Sequence, residues 1–213
     1  RLRIEAGVHC ARLAKYCAER GLDNAGFFIG IPGTVGGALA MNAGAYGGET
    51  WQQVDSVTVL DRRGETHHLQ KKDFDIGYRS VKVHAKTGMD QPCYLSAEMH
   101  FQAGDADTCK ARIKQLLNDR RAAQPVGQLS CGSVFTNPPG DHAARLIESA
   151  GLKGEAIGKA QVSDKHANFI VNTGDAAADD IEDLIARVQA RVEEVHGVTL
   201  HTEVRIVGER GHA

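Results

Sequence analysis

The small residues of Gly30-Ile31-Pro32-Gly33-Thr34-Val35-Gly36-Gly37-Ala38-Leu39-Ala40-Met41-Asn42-Ala43-Gly44-Ala45-Tyr46-Gly47-Gly48-Glu49 would let backbone amides meet a ligand with no side chain between them. Consecutive N–H groups at a turn or helix start make an anion site that needs no lysine, and a diphosphate suits it. The run has no G-K-[ST], and the spacing Gly30, Gly33, Gly36 is not G-x-G-x-x-G. As a bare pattern it reads equally well as tight turns packed on a sheet. Four other residues could do chemistry. The planar guanidinium of Arg79 can grip a carboxylate with two parallel hydrogen bonds at any working pH, or it is a surface arginine after a tyrosine. Ser133, in a Gly-Ser turn, could point a hydroxyl into a cleft, yet the Gly-x-Ser-x-Gly elbow of hydrolases is absent. Glu203 shares one face of an alternating segment with His201 and Arg205, which on pattern alone is a solvent-facing ion pair. Lys153, between Gly151 and Gly154, suits a diphosphate or simply sits in a helix-ending turn. Cys131 reads as a small buried thiol beside the Gly-Ser pair rather than a nucleophile.

Several elements must position these groups. A helix is expected over 8–20, stopped by Gly21, with Leu13, Tyr16 and Cys17 on one face. After the glycine-rich run, 54–60 alternates as a strand, Asp61-Arg62-Arg63-Gly64 turns, and 65–70 returns as its hairpin partner. His67 and His68 are adjacent on that return strand and face opposite sides, which argues against a shared metal. A strand over 94–101 and a basic amphipathic helix over 107–123 follow, and 124–128 reads as a linker. The second half reads strand, helix, strand, helix, strand. Helices are expected over 143–150 and 176–196, a buried strand over 167–172 and a last alternating strand over 198–207.

At 213 residues, with 42% hydrophobic and 24% charged residues, the composition is that of a folded soluble chain with room for two domains. No apolar run approaches the roughly 20 residues of a membrane span. A net charge of −2 and 5% aromatics disfavour nucleic-acid binding. Five cysteines without C-x-x-C spacing point to reduced thiols in the cytoplasm.

The glycine-rich run resembles the flavin-binding segment of the UDP-N-acetylenolpyruvoylglucosamine reductases. Gly77-Tyr78-Arg79-Ser80, Gly132-Ser133-Val134-Phe135-Thr136-Asn137-Pro138, Gly151-Leu152-Lys153-Gly154, Gln161-Val162-Ser163-Asp164-Lys165-His166-Ala167-Asn168-Phe169 and Glu203-Val204-Arg205-Ile206-Val207-Gly208 agree with it in order and spacing. The resemblance implies an α+β chain. Part of an FAD-binding domain of the vanillyl-alcohol-oxidase type is expected over 1–127, a smaller α/β substrate-binding domain over 128–200, and a C-terminal strand and tail over 201–213. It implies NADPH-dependent, FAD-mediated reduction of UDP-N-acetylglucosamine enolpyruvate to UDP-N-acetylmuramate for peptidoglycan synthesis. The implied roles are Arg79 and Glu203 at the enolate and Ser133 as proton donor. Gly30, Ile31, Pro32, Gly33, Thr34, Gly36, Gly37, Asn42, Gly44, Ala45, Tyr46 and Gly47 fall to the cofactor, and Tyr78, Asn137, Lys153, Lys165 and His166 to the substrate.

Family members carry a further α/β portion ahead of what is Arg1 here, so a truncated member is expected. The span 83–94 is too short for the tyrosine-bearing loop of one family form, so the loop-less form is expected, as a monomer. Two other readings stay open on the residues: a UDP-sugar-binding module without catalysis, and another flavin oxidoreductase of the same fold.

Overall fold

The computed structural model describes residues 1–85, 88–89 and 92–208; the span 83–94, expected to lack an extra loop, lies partly outside them. The chain divides into two compact units, Arg1–Arg120 and Arg121–Ala213. The division falls ahead of the expected 127/128 boundary, within a helix, and residues 201–208, expected as a separate tail, belong to the second unit.

The first unit opens with β1 (Leu2–Glu5), α1 (Cys10–Glu19) and β2 (Leu22–Asp23), followed by α2 (Val35–Ala40) and the short strands β3 (Gly44–Ala45) and β4 (Gly48–Glu49). Then come β5 (Val54–Leu60), β6 (Thr66–Gln70), β7 (Phe74–Gly77), β8 (Ser80–Val83), β9 (Cys93–Met99), β10 (Gln102–Ala103) and α3 (Ala106–Ala123). The main sheet has the order β1-β9-β5-β6, with every neighbouring pair antiparallel. β5 and β6 form the hairpin expected from alternation, Val59 facing His67 and Thr58 facing His68. On α1, Leu13, Ala14, Cys17 and Ala18 face the core, but Tyr16 turns outward, its ring 3.6 Å from the Arg20 guanidinium carbon. Phe28, Leu39, Trp51, Val57 and Met99 are wholly buried at the centre of this unit.

The second unit holds β11 (Leu129–Ser133), α4 (Ala143–Ser149), β12 (Ala156–Ile157), β13 (Ala160–Val162), β14 (Phe169–Asn172) and α5 (Ala178–His196). Its sheet runs β11-β14-β13-β12, again antiparallel throughout. Leu184, Ile185, Val188 and Val192 make the buried face of α5, and Gly197 ends that helix in the left-handed region at φ 66°. The expected strand over 198–207 does not form. Among the described residues, that stretch makes only a single bridge, Thr202 to Phe135. The reason is burial: Leu200 is enclosed and Val204 half-buried, but Ile206 and Val207 are exposed, so the alternation has nothing to cover beyond Val204. Among the described residues no helix is long and apolar enough to cross a membrane.

Candidate functional site

The glycine-rich run does two separate jobs. A Cβ on Gly30 would stand 2.5 Å from the Tyr46 ring, on Gly44 2.5 Å from the Gly48 carbonyl, on Gly48 2.7 Å from the Phe27 ring, and on Gly36 3.0 Å from Ala6. Gly30, Gly44 and Gly48 are required by packing, and Gly36 is tightly packed against Ala6. At Gly33, Gly37 and Gly47 a Cβ would meet nothing within 4 Å. The amides of Val35 and Gly36 are tied back to the carbonyls of Val8 and Ala6, each at 2.8 Å. The amides of Gly33, Thr34 and Gly37 make no hydrogen bond among the described residues, and Gly33 and Gly37 are exposed with Pro32 between turn and helix. Gly33, at φ 86°, holds a backbone conformation that a side chain would strain. This fits an anion such as a dinucleotide diphosphate, with Gly33, Thr34 and Gly37 as the residues that would hold it.

Other members of the expected cofactor set serve the protein. Ile31 is buried, and the Tyr46 hydroxyl donates to the Leu116 carbonyl at 2.9 Å. Asn42 is 1% exposed and wholly engaged: its Nδ2 donates to Glu49 Oε2 at 2.9 Å and to the Gly77 carbonyl at 3.1 Å, while its Oδ1 accepts from the Trp51 amide at 3.1 Å. Asn42 thereby fastens the glycine-rich run to the β7–β8 hairpin. Asn42→Ala should cost about 2–4 kcal/mol, because it leaves a buried N–H and a carbonyl unsatisfied and places alanine at φ 41°. Chemical denaturation of wild type and variant measures this; a loss below about 1 kcal/mol, the net worth of one ordinary hydrogen bond, would mean the bracket is loose.

The hairpin it fastens ends in Tyr78 and Arg79, between the paired residues Gly77 and Ser80. Arg79 has φ 52°, in the place where a two-residue turn favours glycine. Its Nη2 makes a long 3.4 Å contact to the Gly44 carbonyl, and its guanidinium carbon stands 5.4 Å from the centre of the exposed Tyr78 ring.

Ser133 is not in a turn, as its Gly-Ser setting suggested. It ends β11, paired with Phe169, after a bulge that inserts one residue between Ser130 and Ser133. Gly132, at φ 86°, allows that bulge, which bends the strand and re-aims the serine. The next residue, Val134, accepts at its carbonyl from the Glu203 amide at 2.8 Å, so the two expected catalytic residues of this unit lie on paired backbone. On the other side of the same segment, buried Asn168 donates to the Phe135 carbonyl at 2.8 Å and accepts from the Phe135 amide at 3.0 Å. Arg79 belongs to the first unit, Ser133 and Glu203 to the second.

Of the residues expected at substrate, the structure groups two. Lys153 Nζ pairs with Glu148 Oε1 at 2.7 Å, and His166 feels both charges. Burial first, and the Lys153 charge after it, hold the His166 pKa below its ordinary value, and its buried Nδ1 has no side-chain or backbone partner within hydrogen-bond distance among the described residues. Lys165 instead donates to the Arg121 carbonyl, and Asn137 Oδ1 accepts from the Ala143 amide at the start of α4 at 3.1 Å. Cys131, expected to be buried, is exposed at the bulge, though partial desolvation raises its pKa and keeps the thiol protonated at neutral pH.

His166 gives a pH signature. The unfolded chain takes this proton near about 6.5 and the folded one at lower pH. Between those values the unfolded state holds more protons, so stability rises with pH across the window and falls as pH drops below about 6.5. In His166→Gln this component should vanish, seen as a flatter dependence of unfolding free energy on pH; an unchanged slope would refute it.

Comparison with known proteins places matches on both units. Residues 1–70 match the model of an FAD binding domain, and residues 124–207 match that of the UDP-N-acetylenolpyruvoylglucosamine reductase C-terminal domain. The chain is 55% identical over 208 residues to the UDP-N-acetylenolpyruvoylglucosamine reductase of Alkalilimnicola ehrlichii, covering 98% of this chain and 68% of that protein. It is 53% identical over 207 residues to the Coxiella burnetii reductase, covering 97% of this chain and 64% of that one. The chain thus spans about two thirds of the length of these relatives. A crystal structure of UDP-N-acetylenolpyruvylglucosamine reductase from Thermus caldophilus superposes with a TM-score of 0.82 at 31% identity, over 96% of this chain and 71% of that one. Identity carried through both units, on an α+β architecture shared with that crystal structure, leaves one conclusion: the chain belongs to the UDP-N-acetylenolpyruvoylglucosamine reductase family.

Proposed function

We propose that this chain reduces UDP-N-acetylglucosamine enolpyruvate to UDP-N-acetylmuramate with FAD and NADPH, as a cytoplasmic monomer supplying peptidoglycan synthesis. The observation that carries the reading is Arg79, a bulky residue at φ 52° on a hairpin tip whose base is fastened by a buried asparagine. A residue kept in a conformation that costs about 1–3 kcal/mol, where glycine would fit, is kept for what its side chain does. On this reading, which membership in the reductase family supports, that task is to bind the enolpyruvyl carboxylate.

FAD, reduced by NADPH, would supply a hydride to the terminal carbon of the enolpyruvyl ether, and the amides of Gly33, Thr34 and Gly37 would hold its diphosphate. Arg79 binds the enolpyruvyl carboxylate, and its fixed charge favours the negative charge that develops there. Ser133 gives its hydroxyl proton to the adjacent carbon, completing addition of H⁻ and H⁺ across the double bond. Glu203 acts at the developing enolate, where its carboxyl is favourable when protonated. Lys153 and His166 face the UDP diphosphate; Tyr78, Asn137 and Lys165 flank the sugar nucleotide.

The test is spectroscopic. Purified protein incubated with FAD and freed of excess should keep a flavin absorption spectrum, and should oxidise NADPH only when the enolpyruvyl substrate is present. Protein that keeps no flavin, or that consumes NADPH without regard to substrate, would end the proposal for this chain.

A further inference from the structure

We infer that Asn168 is a positioning residue, whose side-chain amide replaces a missing strand and so fixes Ser133 relative to Glu203; the catalytic consequence rests on the reading proposed above. The pairing of β11 with β14 stops at Ser133 and Phe169. Beyond it, Val134 donates to the Asn168 carbonyl at 2.9 Å, and then β14 has no backbone left to offer. The segment 134–136 nevertheless stays bonded beyond the paired strand, with its polar groups divided between two sides. On one side, the Val134 carbonyl and the Thr136 amide meet the Glu203 amide at 2.8 Å and the His201 carbonyl at 2.9 Å. On the other, the amide and carbonyl of Phe135 meet Oδ1 and Nδ2 of Asn168.

A primary amide can accept from a peptide N–H and donate to its C=O at once, with a separate atom for each bond. Here it does both at a residue 2% exposed, where unpaired groups are costly. Glutamine is a methylene too long for the same closure, aspartate can only accept, and leucine does neither. Asn168 thus completes a three-membered ladder, Asn168 to Phe135 to Thr202, whose middle member follows the serine and whose far member precedes the glutamate.

The variants Asn168→Leu and Asn168→Asp test this by amide hydrogen exchange and by half-reaction kinetics. In Asn168→Leu the Glu203 amide, which Asn168 does not touch, should exchange about 100-fold faster relative to the amides of α5, since opening of the segment releases it. In Asn168→Asp, protonation turns the carboxylate into a group that again donates and accepts. Burial raises the pKa of that carboxyl, so protection of the Glu203 amide should recover as pH falls, with no such pH dependence in wild type. On flavin-loaded protein, Asn168→Leu should slow reoxidation by the enolpyruvyl substrate at least about 10-fold and leave reduction by NADPH within about 3-fold, because only the former needs the serine proton.

Unchanged protection at the Glu203 amide, no acid recovery in Asn168→Asp, or equal slowing of both half-reactions would each overturn the inference. Wild-type protein that binds no flavin would instead strike the proposed function, while the exchange results would still decide the role of Asn168.

Discussion

Arg79→Lys should lower kcat/KM for the enolpyruvyl substrate by about 10³, near the upper range for removal of a fixed donor from a developing oxyanion, while the protein melts within a few degrees of wild type. Lysine keeps the charge, so a loss of this size measures geometry. A guanidinium offers a carboxylate two parallel donors in one plane, and an ammonium offers a mobile point charge. Arg79→Gly sharpens the test. At φ 52° the arginine pays about 1–2 kcal/mol in backbone strain, which glycine does not. Its contacts include a long 3.4 Å approach to the Gly44 carbonyl and the flank of an exposed tyrosine, and the relief of strain offsets part of what their loss costs. The glycine variant should therefore still fold cooperatively, within about 1–2 kcal/mol of wild type, and be without measurable turnover. A stable variant with lost activity separates function from folding. Loss of both together, or retention of activity in Arg79→Gly, would assign the arginine to the scaffold.

The sequence made the regular elements legible where a period-2 or period-3.6 pattern coincided with real burial. The strand Val54–Leu60 and the helix Ala178–His196 fall where alternation and helical spacing put them, because their apolar faces do meet cores. The same arithmetic failed at 198–207. Val198, Leu200, Val204 and Ile206 share one face, interrupted by Thr202, yet the buried surface that receives them ends near Val204. Alternation states what a strand could bury, and a neighbouring surface decides whether it does.

At the site, residue types were legible and their wiring was not. Glycine at 33 and glycine at 44 look alike in the sequence, but one leaves open space and the other stands against a backbone carbonyl. Asn42 belongs to a flavin-loop pattern and spends its side chain on a hairpin 35 residues away. Asn168 sits in a run that suggested substrate contacts at Lys165 and His166, and it works instead on Phe135, 33 residues earlier. Such bonds depend on burial and register, and no local spacing encodes them. One signal was present in each case: an asparagine among small or apolar neighbours, where a buried amide must find partners. The bulge before Ser133 had a comparable signal in Gly132, which sequence alone assigns to a turn as readily as to an extra residue in a strand.

Ser133→Ala should slow reoxidation of reduced enzyme by the enolpyruvyl substrate about 10²–10⁴-fold, the range for loss of a placed general acid, and leave reduction by NADPH unchanged. A hydroxyl is a weak acid, and no histidine is next to it in the chain to activate it. It can act only because the carbon it protonates belongs to a strongly basic enolate, so the proton moves downhill once charge has developed. The position of the oxygen then matters more than its pKa. The bulge at Gly132 and the ladder through Phe135 set that position, and the alanine variant keeps both, so its melting temperature should match wild type. Ser133→Cys separates position from acidity. Its thiol is more acidic than a hydroxyl and similarly placed, and it should recover part of the lost rate, whereas a serine needed only for packing would recover nothing in particular from a thiol. Rapid-mixing measurements of the two half-reactions decide the matter: equal slowing of both in Ser133→Ala, or no slowing of either, would remove Ser133 from the proton path and leave the enolate to be protonated by solvent.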